Sequence, residues 1–405
     1  MNKPGSQVFL LICAVFYFFL PYVASRIRWE GTIYPQTPPG HSPGYGLFPD
    51  QFIVAPPGFN LTVFIIVAAF CAFVLLFILF PALFGFKKNN ASGKSNSAEK
   101  SKVRAKIKSK TPFPTWYLPS LIIFVLSWII NWARWPYPVD KYIFIPLWWS
   151  FIFLMDAIVY KRNNGESIFS GKPATFKLIF AVSSVAWFSF EYLNFFYVEL
   201  WYYPVKSLMT DFGFVFWYLL SFTVVWPGIF EFYTLLRTFK SLRLRYKFGP
   251  KIHFSKTVQI FLLIAGFAIA FLSGLYPHQF FWGLWIYPLL VSATALSVAG
   301  YPNIFSSIKS GNWSYVVLIG LASLGNGFFY ELWNEGSNMF HSTLPDNPNF
   351  WRYSVPYVDV IHIFSQMPLL GYFGYIGFGS IMWSIWLIFA HVLDFSPEFD
   401  PVKDD

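Results

Sequence analysis

Four carboxylates stand where few carboxylates belong. Of the chain's 19 acidic residues, Asp156, Glu191, Glu231 and Glu331 fall inside or at the rim of long apolar runs. A charged side chain in hydrocarbon is costly unless it is paired, protonated or hydrated, so each is a candidate for binding or proton transfer. Two of them share a local sequence: Phe190-Glu191-Tyr192-Leu193-Asn194 and Tyr330-Glu331-Leu332-Trp333-Asn334. Glu and Asn three apart lie on one helix face, where a carboxylate and an amide can address the same ligand. Glu191 and Glu331 are therefore the candidate catalytic acids or bases. Asn194 and Asn334 are the candidate orienting groups, with Glu231 and Trp333 as further ligand contacts.

Glu231 follows Trp226-Pro227-Gly228, a proline kink whose freed carbonyls need partners, so a structural role is as well motivated there. Asp156 precedes Lys161 and Arg162 and is expected to pair with them at the membrane rim. The six histidines show neither His-x-x-x-His nor Glu-x-x-His spacing, so no metal site is expected; His278 and His341 read as interfacial polar residues. No phosphate loop or nucleophile elbow is present, so neither an ATP-driven motor nor an ordinary serine hydrolase is indicated, and the sequence identifies no particular cofactor. Gly371, Gly374, Gly377 and Gly379 suggest close helix packing after Pro368. Cys13 and Cys71, both within apolar runs, read as small hydrophobes.

The elements that must hold these groups are transmembrane helices. The 405 residues are 56% hydrophobic and only 12% charged, with several runs reaching the ~20 residues that cross ~30 Å of hydrocarbon, which excludes a β-barrel of ~10-residue strands. Breakers divide the chain into about ten spans, near 7–24, 61–86, 115–133, 142–160, 177–198, 211–235, 257–275, 280–299, 314–333 and 360–392. With the N-terminus inside, the cytoplasmic loops carry 23 Lys and Arg and the opposite side 6, as the positive-inside rule requires. Both termini are thus expected in the cytoplasm. The formal charge of +10 reflects this orientation and not a nucleic-acid surface. Residues 1–86 form an N-terminal helix pair with an outer loop 26–60, and 87–114 form a basic cytoplasmic linker. The first helix, preceded by Lys3, is longer than a signal-peptide core and is expected to be retained. Asn60-Leu61-Thr62 matches a glycosylation acceptor but abuts a span. Aromatic residues make up 23% of the chain, more than interfacial belts require, and such rings can line a pocket for a lipid tail or a cation.

Laying 131–197 on 271–340 aligns Tyr137-Pro138 with Tyr276-Pro277 and places the two glutamates, and the two asparagines, 140 positions apart. Pro204 pairs with Pro356 and Pro227 with Pro368. These matches predict two four-helix repeats, 115–256 and 257–405, in the same orientation because four crossings return the chain to its starting side. A pseudo-two-fold axis along the membrane normal would then set both Glu-x-x-Asn motifs at similar depth, and facing helices would put both carboxylates in one outward cavity.

Glu331-Leu332-Trp333-Asn334, Val355-Pro356-Tyr357-Val358 and Met367-Pro368-Leu369-Leu370-Gly371-Tyr372 resemble a group of uncharacterised bacterial integral membrane proteins. The resemblance covers mainly the second repeat; it implies a multi-pass protein of a bacterial inner membrane and brings no activity with it. The functional expectation is an intramembrane, outward-facing carboxylate and amide site for a lipid-like or cationic small molecule. A proton- or sodium-coupled transporter and a non-catalytic subunit with a membrane partner are the alternatives. The bilayer is the one partner expected in every case.

Overall fold

The computed structural model describes residues 4–30, 41–42, 51–52, 56–87, 111–194, 200–204, 209–338 and 347–404. Most of the basic linker, and His341, lie outside these. The protein is an all-α bundle. Its principal helices are α1 (Pro4–Glu30), α2 (Leu61–Leu79), α3 (Tyr117–Ala133), α4 (Phe144–Arg162), α5 (Pro173–Asn194), α6 (Phe212–Arg237), α7 (Lys256–Leu275), α8 (Gly283–Val298), α9 (Ser314–Asn338) and α10 (Leu369–Val392). Eight are long and apolar enough to cross a membrane, while α3 and α8 are shorter apolar helices. Two two-residue antiparallel ribbons complete the framework, β1 (His41–Ser42) with β2 (Gln51–Phe52), and β3 (Trp201–Tyr202) with β4 (Arg352–Tyr353).

Burial sorts the helices. In α6 and α9, 61% of the apolar window is buried, against 6% in α2, so the former form the centre and the latter presents its side chains outward. A helix apolar on every side and barely covered by protein is one whose solvent is lipid. The central helix α6 changes to a 3-10 turn at Phe222–Val224, just before Pro227. Two serines of α5 meet its loosened backbone: Ser184 donates to the Leu219 carbonyl at 2.6 Å, and Ser183 donates to Phe222 O while accepting from Trp226 N. Local hydroxyls thereby replace the helical bonds that a proline site cannot make.

The last span is shorter than 360–392. Pro368 occupies the N-cap, and Leu369–Phe373 form a 3-10 turn that leads into the α-helix. The segment before it folds back, with His362 bridged to Pro368. Of the glycines that follow, only Gly379 meets neighbouring backbone: a Cβ there would collide with the Ile319 carbonyl of α9, whereas Gly374 and Gly377 face open space and Gly371 touches the Met367 side chain. Gly379→Ala is expected to cost about 1–3 kcal/mol in thermal unfolding in mild detergent, and Gly377→Ala almost nothing. Equal effects at the two positions would contradict the packing described.

The bundle has two distinct ends. At the tail end, the chain after α10 folds back across the helix termini, and the N-terminal helix arrives beside it, with Gln7 donating to the His391 carbonyl. At the ribbon end, β3 and β4 lie over the last turns of α5 and α9.

Candidate functional site

The Glu-x-x-Asn motifs close α5 and α9, and their asparagines have matching geometry. Asn194 Nδ2 donates to the Trp201 carbonyl at 2.8 Å while its Oδ1 accepts from Leu200 N at 2.9 Å. Asn334 Nδ2 donates to the Trp351 carbonyl at 2.9 Å while its Oδ1 accepts from Trp351 N at 3.0 Å. In each case the amide serves the backbone of the segment that enters the ribbon. An amide satisfies such a segment well because it both donates and accepts, which neither a carboxylate nor a hydroxyl of fixed rotamer does as fully. Neither asparagine is placed to orient a ligand with the groups it uses here.

The ribbon then delivers donors to the carboxylates. Trp201 is paired with Tyr353, and directly opposed residues of an antiparallel pair share a face. From that face the Trp201 indole donates to Glu191 Oε1 at 3.1 Å and the Tyr353 hydroxyl donates to Glu331 Oε1 at 2.6 Å. Each acid also accepts from donors in its own half of the chain. Glu191 Oε1 also accepts from Trp187 Nε1 at 3.0 Å and from the Tyr203 hydroxyl at 2.8 Å, and Glu331 Oε1 from the Tyr375 hydroxyl of α10 at 2.9 Å.

The two acids differ in what remains. Glu331 is fully buried, and its Oε2 accepts no hydrogen bond among the described residues. Beside it the Ser365 hydroxyl, 2.8 Å from the Tyr372 hydroxyl, is a further hydrogen-bonding neighbour of the carboxylate, and Glu335, one turn further along α9, accepts from Gln366 at 3.4 Å. Burial and the Glu331 carboxylate push the Tyr353 hydroxyl well above the usual phenol range, so it stays a donor. A carboxylate with one oxygen clamped by two phenols and the other unused can take a proton or accept from a cationic donor.

Two expected members of the site are elsewhere. Trp333 is two residues from Glu331, about 200° around the helix, and faces α3 and α4. Its ring packs edge-on against Trp148 at 4.7 Å, Phe151 at 5.2 Å and Trp128 at 5.6 Å. Glu231 lies near the tail end of α6, about 15 Å from the depth of Glu331 by helix rise.

Asp156 corrects its expectation outright. It is fully buried, its Oδ1 accepts from the Ser167 hydroxyl and its Oδ2 from Phe169 N, both at 3.0 Å, so it closes the one-turn helix Ile168–Gly171. Lys161 instead sits over the Phe113 ring and Arg162 over Phe239, with its Nε on Thr238. The aromatic rims satisfy these cations, leaving Asp156 to point inward.

The donors Trp201, Tyr203, Tyr353 and Tyr375 were not foreseen. A signal existed: Trp201-Tyr202-Tyr203 and Trp351-Arg352-Tyr353 share a Trp-x-Tyr pattern. It begins ten residues after Glu191 but twenty after Glu331, so a fixed offset of 140 passes over it.

Fold and site together define a multi-pass, aromatic-rich α-helical membrane protein. No family model, curated protein or solved structure matches the chain, so the resemblance seen in its second half carries that class and nothing finer.

Proposed function

We propose that Glu331 is the ligand-binding carboxylate of an intramembrane site, opening toward the outer face, for a small cationic or cation-headed lipid-like molecule. The unused, fully buried Oε2 of Glu331 carries this reading, because a native fold rarely leaves a buried carboxylate oxygen idle without a ligand, water or proton to meet it. Tyr353 and Tyr375 fix the carboxylate, and Glu335 adds negative potential beside it. The same carboxylate could act as base toward an acidic proton of that ligand.

The matched asparagines and the ribbon between the motifs support two repeats in one orientation, with Glu191 kept as a structural tie and Glu331 as the working copy. The excess of basic residues at the tail end supports placing that end, and both termini, in the cytoplasm of a cell membrane.

Glu331→Gln is expected to abolish retention of a co-purifying small molecule in native mass spectrometry, and Glu191→Gln to leave it in place. Equal retention in both variants would reject the assignment. Coupled transport is the second reading, favoured by a separate set of buried acids near the tail end.

A further inference from the structure

Between α4, α6 and α9, in the half of the bundle nearest the tail, lies a group of polar side chains that the Glu331 reading does not use. Glu231 is fully buried, and neither carboxyl oxygen accepts from an N–H or hydroxyl donor among the described residues; its hydrogen-bonding neighbour is the Asp156 carboxyl. Its electrostatic neighbours are Asp156 of α4 and Asp400 of the tail, both acidic. Asp156 faces it with both oxygens already accepting, from Ser167 and Phe169 N, and with the Trp116 indole alongside. One turn back along α6, the Asn326 amide of α9 rests against Gly228, 3.0 Å from the point where a Cβ would stand. That amide is also fully buried, and neither its oxygen nor its nitrogen has a partner among the described residues.

We propose that Asp156 and Glu231 form a proton-binding site: one exchangeable proton, carried by Glu231, is shared with Asp156, and Asn326 is the adjoining polar step toward the bundle centre. Two carboxylates meeting without a cation between them cannot both be ionised, because like charges at close range repel strongly in a poorly screened interior. Asp156 is the member held by donors suited to the charged form. Glu231, with none, is the member that carries the proton. A metal ion is a poorer occupant, since no group of three or more His, Cys, Asp or Glu able to hold one occurs among the described residues.

The tail closes the site from its own end. Phe399 stacks on Phe230 at 4.2 Å, beside Glu231 in sequence, and Asp400 is held by Arg237 Nε at 2.8 Å. The charged and titratable groups on the tail side of the pair are Asp400, which Arg237 holds, and Tyr233 on α6, whose own neighbours are Asp400, Arg237, Tyr315 and Asp404. A proton leaving Glu231 for the tail end would pass Asp400.

The full chain in lipid nanodiscs, with glutamate side chains isotope-labelled, tests this by infrared spectroscopy. A carboxylic-acid C=O stretch from glutamate is expected to persist through neutral pH, to shift in deuterated buffer, and to vanish in Glu231→Gln but not in Glu191→Gln. Labelling the wild-type protein keeps the test decisive even where a variant folds poorly. Absence of the acid band at neutral pH, or its loss on adding sodium at constant pH, would overturn the proposal, the latter by showing a cation site. Recording the same spectra in a Glu331→Gln background removes any band from that acid, so the outcome is independent of whether Glu331 binds a ligand or a proton.

Discussion

Arg237→Met is expected to lower stability by about 3–5 kcal/mol and to detach the C-terminal tail, because it strands the buried Val402 carbonyl and the largely covered Asp400 carboxylate that one guanidinium now satisfies. Arg237 is 2% exposed; its Nε bonds Asp400 at 2.8 Å, its second nitrogen pairs with Asp404 at 2.9 Å, and its third donates to the Val402 carbonyl at 2.9 Å. Replacing both members, as in Arg237→Met with Asp400→Leu, is expected to recover much of the loss, since a buried ion pair exchanged whole for apolar groups costs little. Lys172→Met provides the contrast. Its partner Glu398 is 79% exposed, and screening by water leaves such a pair worth less than about 1 kcal/mol. Thermal unfolding in mild detergent, with proteolysis of the tail as second readout, distinguishes these outcomes. A stable Arg237→Met variant with a protected tail would show that Phe399 packing and the Trp386 indole's bond to the Pro397 carbonyl suffice alone.

The second large effect concerns the paired asparagines. Asn194→Ala leaves a buried backbone carbonyl and N–H without their side-chain partner, and Asn334→Ala a part-buried pair, at about 1–3 kcal/mol per group. Similar losses are expected at the two sites, together with faster hydrogen exchange at Leu200 N in the first variant and at Trp351 N in the second. A loss at Asn334 alone would mean that the two motifs do not share one structural task.

Much of this architecture was legible in the sequence, and particular residues show why the rest was not. Apolar runs and prolines located ten helices, since hydrocarbon forces long, internally bonded segments on the chain. The last span was drawn too long because its apolar residues run on before Pro368, where the backbone actually turns. The two Glu-x-x-Asn segments are visible in the sequence, but the partners of their side chains are not. Asparagine turns inward to backbone that only tertiary folding brings near, and Glu331 is set apart from Glu191 by Tyr375, 44 residues away on another helix. Trp333 lies away from Glu331 for a reason of angle, since two residues turn a side chain to the far side of its helix. Asp156 was misjudged because Lys161 and Arg162 were near in sequence, while aromatic rings met those cations and the short helix after α4 claimed the acid.

The central claim is that Glu331 meets something other than protein. Its most direct test is a high-resolution density map of the chain in nanodiscs, prepared from membranes with native lipid. The account predicts non-protein density within hydrogen-bond distance of Glu331 Oε2, on the side away from Tyr353 and Tyr375, and none at Glu191. A map in which protein atoms alone fill the space around Oε2 would contradict it.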